Sequence, residues 1–521
     1  MLLVLSSMRG YSQSAAPTWS SDVACIVYSH CSNCHNPTSI APFSLLTYQD
    51  AYLNMQSIKH DISIKKMPPY LPNTNNQHYT DMRTLTSQEI RTIVAWVDSS
   101  APLGDTTSLL PQPVFNSSVV LTHPDLTARI ANYVVPNTGA DLYRCFVITG
   151  PMDTTRYIKT MEVIPGDRSA VHHVLVYEDT AYALVVTDSL DPQPGYTNFG
   201  STGSSTSKLI GGWVPGSGVD SMPNNMGVKL TKGSRIVIQI HYPTGAAGKL
   251  DSTRINFQFT PDNNVRSVNV VPILNHRTSL TDGPLVIPAD SVRTFHEQAT
   301  IPADLTILSV APHAHLVCTS MLAYGVTPAG DTIHLIDIPH WDFHWQGAHS
   351  FQKPIKLPQG TMLHSIAHYD NTYNNPESPR PIANVTLGEA TTNEMMLFFF
   401  SYLIYQPGDE NIIVDTASHD AHYMGCVSRF VSAAVSTGIN DLSVDRHLHV
   451  YPNPAQHILN YQSDVEVSEV RIMDISGKVI SQLTTSGKQS AISLGDIADG
   501  LYFIQLQTAD GSSSVLRFAK D

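Results

Sequence analysis

Apolar and polar positions alternate through most of the chain, and helical spacing is confined to its first hundred residues. Val23, Ile26 and Val27 fall at i, i+3 and i+4, and Ile90, Ile93, Val94 and Val97 repeat the pattern, which predicts two amphipathic helices. Ser20 or Ser21 is a candidate cap for the first. Thr86-Ser87-Gln88-Glu89 has the form of a capping box for the second. From residue 113 the period becomes two. In 235–242, Ile236, Ile238 and Ile240 share one strand face, and Val237, Gln239 and His241 the other. Residues 397–405 read as a buried strand, and the Gly- and Ser-rich 201–218 as a long loop. Further on, 470–480 reads as a hairpin turning at Ser476-Gly477, 500–507 alternates cleanly, and 515–520 adds a last strand. The pattern predicts a multidomain, mainly β chain. It has a small all-α module at 18–105, a linker at 106–112, β regions at 113–262 and 263–430, and a small Ig-like β-sandwich at 440–521.

With 521 residues the chain is long enough for several domains, each burying its own core. Only 14% of residues are charged, beside 34 Pro and 30 Gly, which suits turn-rich β domains. The formal net charge of −14 argues against nucleic acid or an anionic membrane surface as partner. No apolar run approaches the ~20 residues of a membrane span. The opening Met1-Leu2-Leu3-Val4-Leu5, with small residues at Ser14-Ala15-Ala16, reads as the remnant of a signal peptide over 1–17. Export would permit disulfides among Cys25, Cys145, Cys318 and Cys426, with Cys318 and Cys426 a candidate pair.

Cys31-Ser32-Asn33-Cys34-His35 follows the first helix. C-x-x-C-H is the spacing of covalent haem attachment, with two thiols for the vinyl groups and a histidine for the iron. Met67, in Lys66-Met67-Pro68-Pro69, is the candidate second axial ligand of a haem c. A His/Met pair suits electron transfer. Together with 40–48, these residues resemble the cytochrome c-like domains fused to bacterial copper monooxygenases.

Histidines gather in the two middle regions. His172 and His173 are adjacent, and adjacent positions of an ideal strand face opposite ways. Sharing one ion therefore requires a strand end or different ring nitrogens. His241 is the candidate third ligand, and three imidazoles suit copper, zinc, iron or nickel alike. His313 and His315, at i and i+2, leave one strand face. Met395 or Met396 would add a thioether, which favours Cu(I). His364 and His368 also share a face and form a competing pair.

Taken in order, His172-His173, Gln239-x-His241-Tyr242, His313-x-His315 and Glu394-Met395 are similar to the copper type II ascorbate-dependent monooxygenases. That family includes the peptide-amidating hydroxylase and dopamine β-monooxygenase, and the resemblance spans most of 113–430. It implies two jelly-roll-like β-sandwiches facing each other across a solvent cleft, with two coppers per chain. His172, His173 and His241 would hold the electron-transfer copper, with Gln239 in support. His313, His315 and Met395 would hold the oxygen-binding, catalytic copper. The implied reaction is hydroxylation of a C–H bond of a small or peptide-like substrate by O2 and two external electrons. Ascorbate is the family's reductant, and the domain order suggests the haem module as an alternative donor. The run 341–346 (Trp-Asp-Phe-His-Trp-Gln), with Tyr369-Asp370-Asn371, resembles the bacterial branch and reads as structural. Where the amidating enzyme holds its peptide carboxylate this chain has Ala311, Leu397 and Phe399, so a weakly polar substrate is expected. The residues also suit two other functions: a three-His zinc hydrolase and a non-catalytic surface carrier of haem and copper.

Tyr451-Pro452-Asn453-Pro454, Asp474-x-x-Gly477-Lys478 and Gly500-Leu501-Tyr502 resemble the type IX secretion sorting domain. The resemblance implies the type IX machinery as partner, and passage through the periplasm to the surface or exterior of a Gram-negative cell.

Overall fold

The computed structural model describes residues 16–414 and 448–520, apart from 38, 40, 81, 83, 114–118, 120, 149, 216–218, 453–454, 474–478, 496, 499 and 509–512. Most of the expected signal remnant, and Cys426, lie outside the described residues. The protein is mainly β, with several sheets, and divides into two compact units, 1–423 and 424–521.

The first unit opens with the helical module. Thr18, rather than Ser20 or Ser21, caps its first turn by accepting from the Ser21 amide. The Ser87–Asp98 helix has the capping box read from its sequence: Thr86 accepts from the Glu89 amide and Glu89 from the Thr86 amide. Val23, Ile26, Val27, Ile93 and Val97 meet Trp19 and Trp96 in one core. Burying each such side chain is worth about 1.5–3 kcal/mol.

Just past Met67 the chain leaves this core and straps onto the second β region, 263–430. Tyr70, Leu71 and Tyr79 join that region's hydrophobic cluster. The Asn73 amide donates to the Asp337 carbonyl at 2.7 Å, Gln77 Nε2 to the His334 carbonyl at 2.7 Å and the Tyr79 hydroxyl to the Leu335 carbonyl at 2.8 Å.

The two β regions share one nine-stranded sheet. The first contributes Leu126–Arg129, Arg254–Phe259, Arg156–Ile164, Asp220–Ser221 and Met226–Leu230. The second contributes Arg266–Asn275, Leu397–Ile404, Leu305–His313 and His349–Leu357. They are joined where Arg266, Ser267 and Val268 pair in parallel with Met226, Gly227 and Val228. Each half of the sheet is covered by another. Over the first, Val174, Ile238 and Ile240 of a five-stranded sheet meet Val163, Ile255 and Phe257. Over the second, Met321, Ala323 and Ala367 of a four-stranded sheet meet Val310, Phe398 and Phe400.

Two expectations are corrected. Within 201–218, Lys208–Trp213 is a strand on the edge of the five-stranded sheet, paired with His173–Asp179. Its glycines disguised it, and they are needed there: a Cβ on Gly212 would lie 2.9 Å from the Val174 carbonyl. Cys318 is not disulfide-bonded. Its buried thiol donates to the Ser320 carbonyl at 3.6 Å, while Cys25 is in a disulfide.

The second unit is one five-stranded sheet, coiled into a half-barrel, where two stacked sheets were expected. Ile458–Met473 slips register between Gln462 and Val467. Its first part pairs with Leu448–Tyr451 and its second with Gly500–Thr508. One long strand thus serves both ends of the layer, and the sheet never splits.

Candidate metal centre

His173 opens a strand and His172 precedes it. His241 lies directly opposite His173 in the neighbouring strand. The His172 amide donates to the His241 carbonyl at 2.9 Å, so pairing continues one residue past the strand while the chain bends. That bend turns two adjacent histidines toward one point. Ligand atoms of His172, His173 and His241 lie within 4.8 Å of one another, and among the described residues this is the group of three or more fit for a metal ion. His172 and His173 bring their Nδ1 atoms to 3.3 Å. Two nitrogens at tetrahedral positions about 2.0–2.1 Å from one ion are separated by about that distance. Burial, then the nearby His241, pulls His172 down to about 4 and His173 well below its ordinary range, so both are neutral and ready to coordinate.

His241 is 1% exposed. Asp141 Oδ2 is 3.3 Å from its Nε2 but out of line for a hydrogen bond, and neither ring nitrogen has a hydrogen-bond partner. A buried imidazole in that state is costly unless something else takes a nitrogen; an ion shared with His172 and His173 would take one, with the Asp141 carboxylate beside Nε2. Tyr143 stacks flat on the ring, with centroids 4.3 Å apart. The His241 imidazole, foremost, holds the Asp141 carboxyl below its usual range. Asp141 also accepts from the Thr391 hydroxyl at 3.0 Å, which belongs to the second region. Gln239 is turned elsewhere: its Nε2 donates to the Ser201 carbonyl at 2.6 Å and the Asn198 carbonyl at 3.1 Å, anchoring that loop.

In the second region His313 ends its strand and His315 follows, with ring centroids 5.2 Å apart. Gln346 Oε1 accepts from His313 Nδ1 at 2.6 Å. Gln346 Nε2 donates to the Phe343 carbonyl, which fixes the amide's orientation. The Asn393 carbonyl accepts from His315 Nδ1 at 3.1 Å. Both imidazoles therefore carry their proton on Nδ1 and keep Nε2 for a ligand. Burial lowers His313 and takes His315 to about 3.

Glu394 organises the approach to Met395. Fully buried, its carboxyl accepts the amides of His315 (2.8 Å), Val317 (2.9 Å), Cys318 (3.2 Å) and Met395 (3.0 Å). Burial pushes it up to about 7 against those four donors. One oxygen serves both His315 and Met395, which brings their backbones together. Met396 belongs to the hydrophobic core with Phe398 and Phe400, and Met395 stands outside that cluster. Met395 is therefore the one of the two not committed to that core.

Phe343 stands between the two histidine groups. Its ring stacks on His172 at 5.2 Å and 18° and meets His315 edge-on at 5.8 Å. At this place a phenyl ring fills the cleft expected to hold solvent. The competing pair is otherwise engaged: His364 stacks on Tyr324 and His368 hydrogen-bonds to Thr294.

In the helical module Cys31 and Cys34 are thiols, not a disulfide. The His35 Nδ1 donates to the Phe43 carbonyl at 3.0 Å, which leaves Nε2 for an axial bond. Both features fit a C-x-x-C-H haem. Met67 is half-buried at the turn after the Met55–Ser63 helix. Arg168, on the turn leading to His172, is within electrostatic reach of Cys34. Lys66, beside Met67, is within reach of Asp342, beside Phe343.

Residues 449–518 match the secretion system C-terminal sorting domain. The sorting domain marks the chain for export through type IX secretion to the surface or exterior of a Gram-negative (Bacteroidetes) cell. Among the described residues no helix is long and apolar enough to cross a membrane. No curated protein matches the chain. Among solved structures, PorZ of Porphyromonas gingivalis, a surface component of the type IX system, is 21% identical over 14% of this chain and 11% of its own length, with a TM-score of 0.13. A peptide-N(4)-(N-acetyl-β-D-glucosaminyl)asparagine amidase is 12% identical over 54% of this chain and 97% of its own, with a TM-score of 0.26. PNGase F of Flavobacterium meningosepticum gives 10%, 54%, 97% and 0.24. At these TM-scores the likenesses carry no functional argument.

Asp141, Phe343, Gln346, Thr391 and Glu394 were not singled out as individual site residues by the sequence. Phe343 and Gln346 lay inside the 341–346 run and Glu394 beside Met395, so the motifs held the signal. Asp141 and Thr391 carried none, because each acts only through contacts made by distant chain.

Proposed function

We propose that the chain is an exported copper-dependent monooxygenase whose two histidine groups each hold one copper. The observation that carries this reading is the convergence of His172, His173 and His241, with the His241 ring buried, Asp141 beside its Nε2 and neither ring nitrogen hydrogen-bonded, one phenyl ring from a second pair that keeps both Nε2 atoms for a ligand. His313 and His315, with Met395 as thioether, would hold the second ion. Copper would supply one-electron redox chemistry and oxygen activation. The overall change is insertion of one atom of O2 into a substrate C–H bond, the other leaving as water, with two electrons and two protons consumed.

The chain's own groups prepare the site. Gln346 and the Asn393 carbonyl set the two imidazole tautomers, Glu394 fixes the His315 and Met395 backbones, and Phe343 keeps bulk water from the space between the groups. Beside His313 the sheet presents buried Leu397 directly opposite it, and half-buried Ala311 opposite half-buried Phe399, an apolar floor. This supports a weakly polar substrate.

Cys31 and Cys34 would attach a haem c, with His35 and Met67 as candidate iron ligands, and such a group would supply one-electron redox chemistry. The finer fold reading, two jelly-roll-like sandwiches, accords with two sheet pairs each closing its own core.

The deciding measurement is metal and haem per purified chain, followed by oxygen uptake against apolar substrates. Copper with substrate-dependent uptake bears the proposal out. Zinc alone turns it into a hydrolase, and bound metals without uptake leave a carrier.

A further inference from the structure

Two side chains of the second half reach the first half at the site, Phe343 against a proposed ligand and Thr391 against the carboxylate beside another. Phe343 comes from the second region and stacks on His172 of the first. Thr391, also from the second, donates to Asp141, which lies against His241. Both straps lead straight back to the second group. Phe343 meets His315, and its carbonyl holds Gln346, which holds His313. Two residues beyond Thr391, the Asn393 carbonyl holds His315.

We propose that Phe343 is a positioning residue that sets the separation of the two metal sites, with Thr391 as the second point of a latch. The proposal rests on the metal assignment above but concerns a joint present without metal. The physical case is one of contact and consequence. Phe343 is 9% exposed although it sits in a short turn between Asp342 and Trp345; it belongs to neither β core, and His172 and His315 lie against its ring. The turn is placed from outside: the strands on either side of it, Thr332–Ile338 and His349–Leu357, are the ones gripped by the 70–80 strap of the helical module. Tyr70 and Tyr79 both pack on His349, and the Thr80 amide donates to the Ser350 carbonyl at 2.8 Å. The module expected to carry haem therefore holds the element that spaces the two histidine groups. Packed rings have discrete rather than continuous arrangements, so removing this one frees the separation instead of shifting it slightly.

The test uses the full chain and two readouts. In metal-free protein, amide exchange by mass spectrometry follows 171–174 and 313–316. Phe343→Ala should speed exchange there by about 10-fold or more, and Phe343→Trp should not. In protein loaded with Cu(II), pulsed dipolar EPR reads the ion-to-ion distance. A single narrow distance should become broad and longer in Phe343→Ala, and return in Phe343→Trp. Thr391→Val should broaden it less. Exchange unchanged in metal-free Phe343→Ala overturns the latch whether or not copper binds. An unchanged distance in a Phe343→Ala protein that holds both ions overturns the spacing role. A chain that takes up no copper but shows the exchange effect retains the latch and loses the oxygenase reading.

Discussion

The His172 amide donates to the carbonyl of His241, 2.9 Å away. This backbone bond stands outside the strand, so it survives removal of the His241 side chain. His241→Ala should therefore fold, and lose one of two bound coppers when dialysed protein is analysed for metal. Two coppers retained would remove His241 from the ligand set.

Asp141 lies against His241 and is steadied by Thr391. Asp141→Asn keeps the shape and removes the charge that orients the imidazole. It should weaken binding at the three-His group by about 10- to 100-fold and leave the His313 and His315 group unaltered. Competition titration against a chelator of known affinity reads both.

Met395 and Met396 make opposite predictions. Met396 fills core, so Met396→Leu should cost less than about 1.5 kcal/mol and change no metal property. Met395→Leu should leave stability similar and depress Cu(I) affinity at the second group, measured with a Cu(I)-specific chelator. The reverse outcome would reassign the thioether.

Glu394 takes four amides. Glu394→Ala leaves all four buried donors unpaired and should cost on the order of 3 kcal/mol in urea unfolding. Glu394→Gln, which keeps a carbonyl oxygen, should cost less.

Glu297 is fully buried, with Ser365 donating to its Oε2 at 2.8 Å, and burial pushes it up to about 8. The folded state therefore keeps this proton while the unfolded chain loses it near its ordinary 4.5. The associated stability is complete below about 4.5, declines as pH rises, and is gone past about 8. Glu297→Gln should flatten that decline, so thermal melts of the two proteins should diverge between pH 5 and about pH 9.

Much of this was legible because the chemistry sits in short motifs. The C-x-x-C-H pentapeptide, the capping box at Thr86 and the spacing of His313 and His315 are all local signals. The convergence of His172 with His173 was not: an ideal strand separates them, and only the bend held by the His241 carbonyl reconciles them. The Lys208–Trp213 strand was hidden by Gly211 and Gly212, residues chosen for close approach to a neighbour the sequence does not name. The strap from Tyr70 to Thr80 was read as part of the helical module because its partners are more than 250 positions away.

The parallel seam between Met226–Leu230 and Arg266–Asn275 has a practical cost for anyone dissecting the protein. Cutting the chain near residue 262 and separating the pieces would bare the two strand edges that meet at the seam's three paired positions, a template for foreign strands. The two halves, sharing one sheet, are best handled as a single piece.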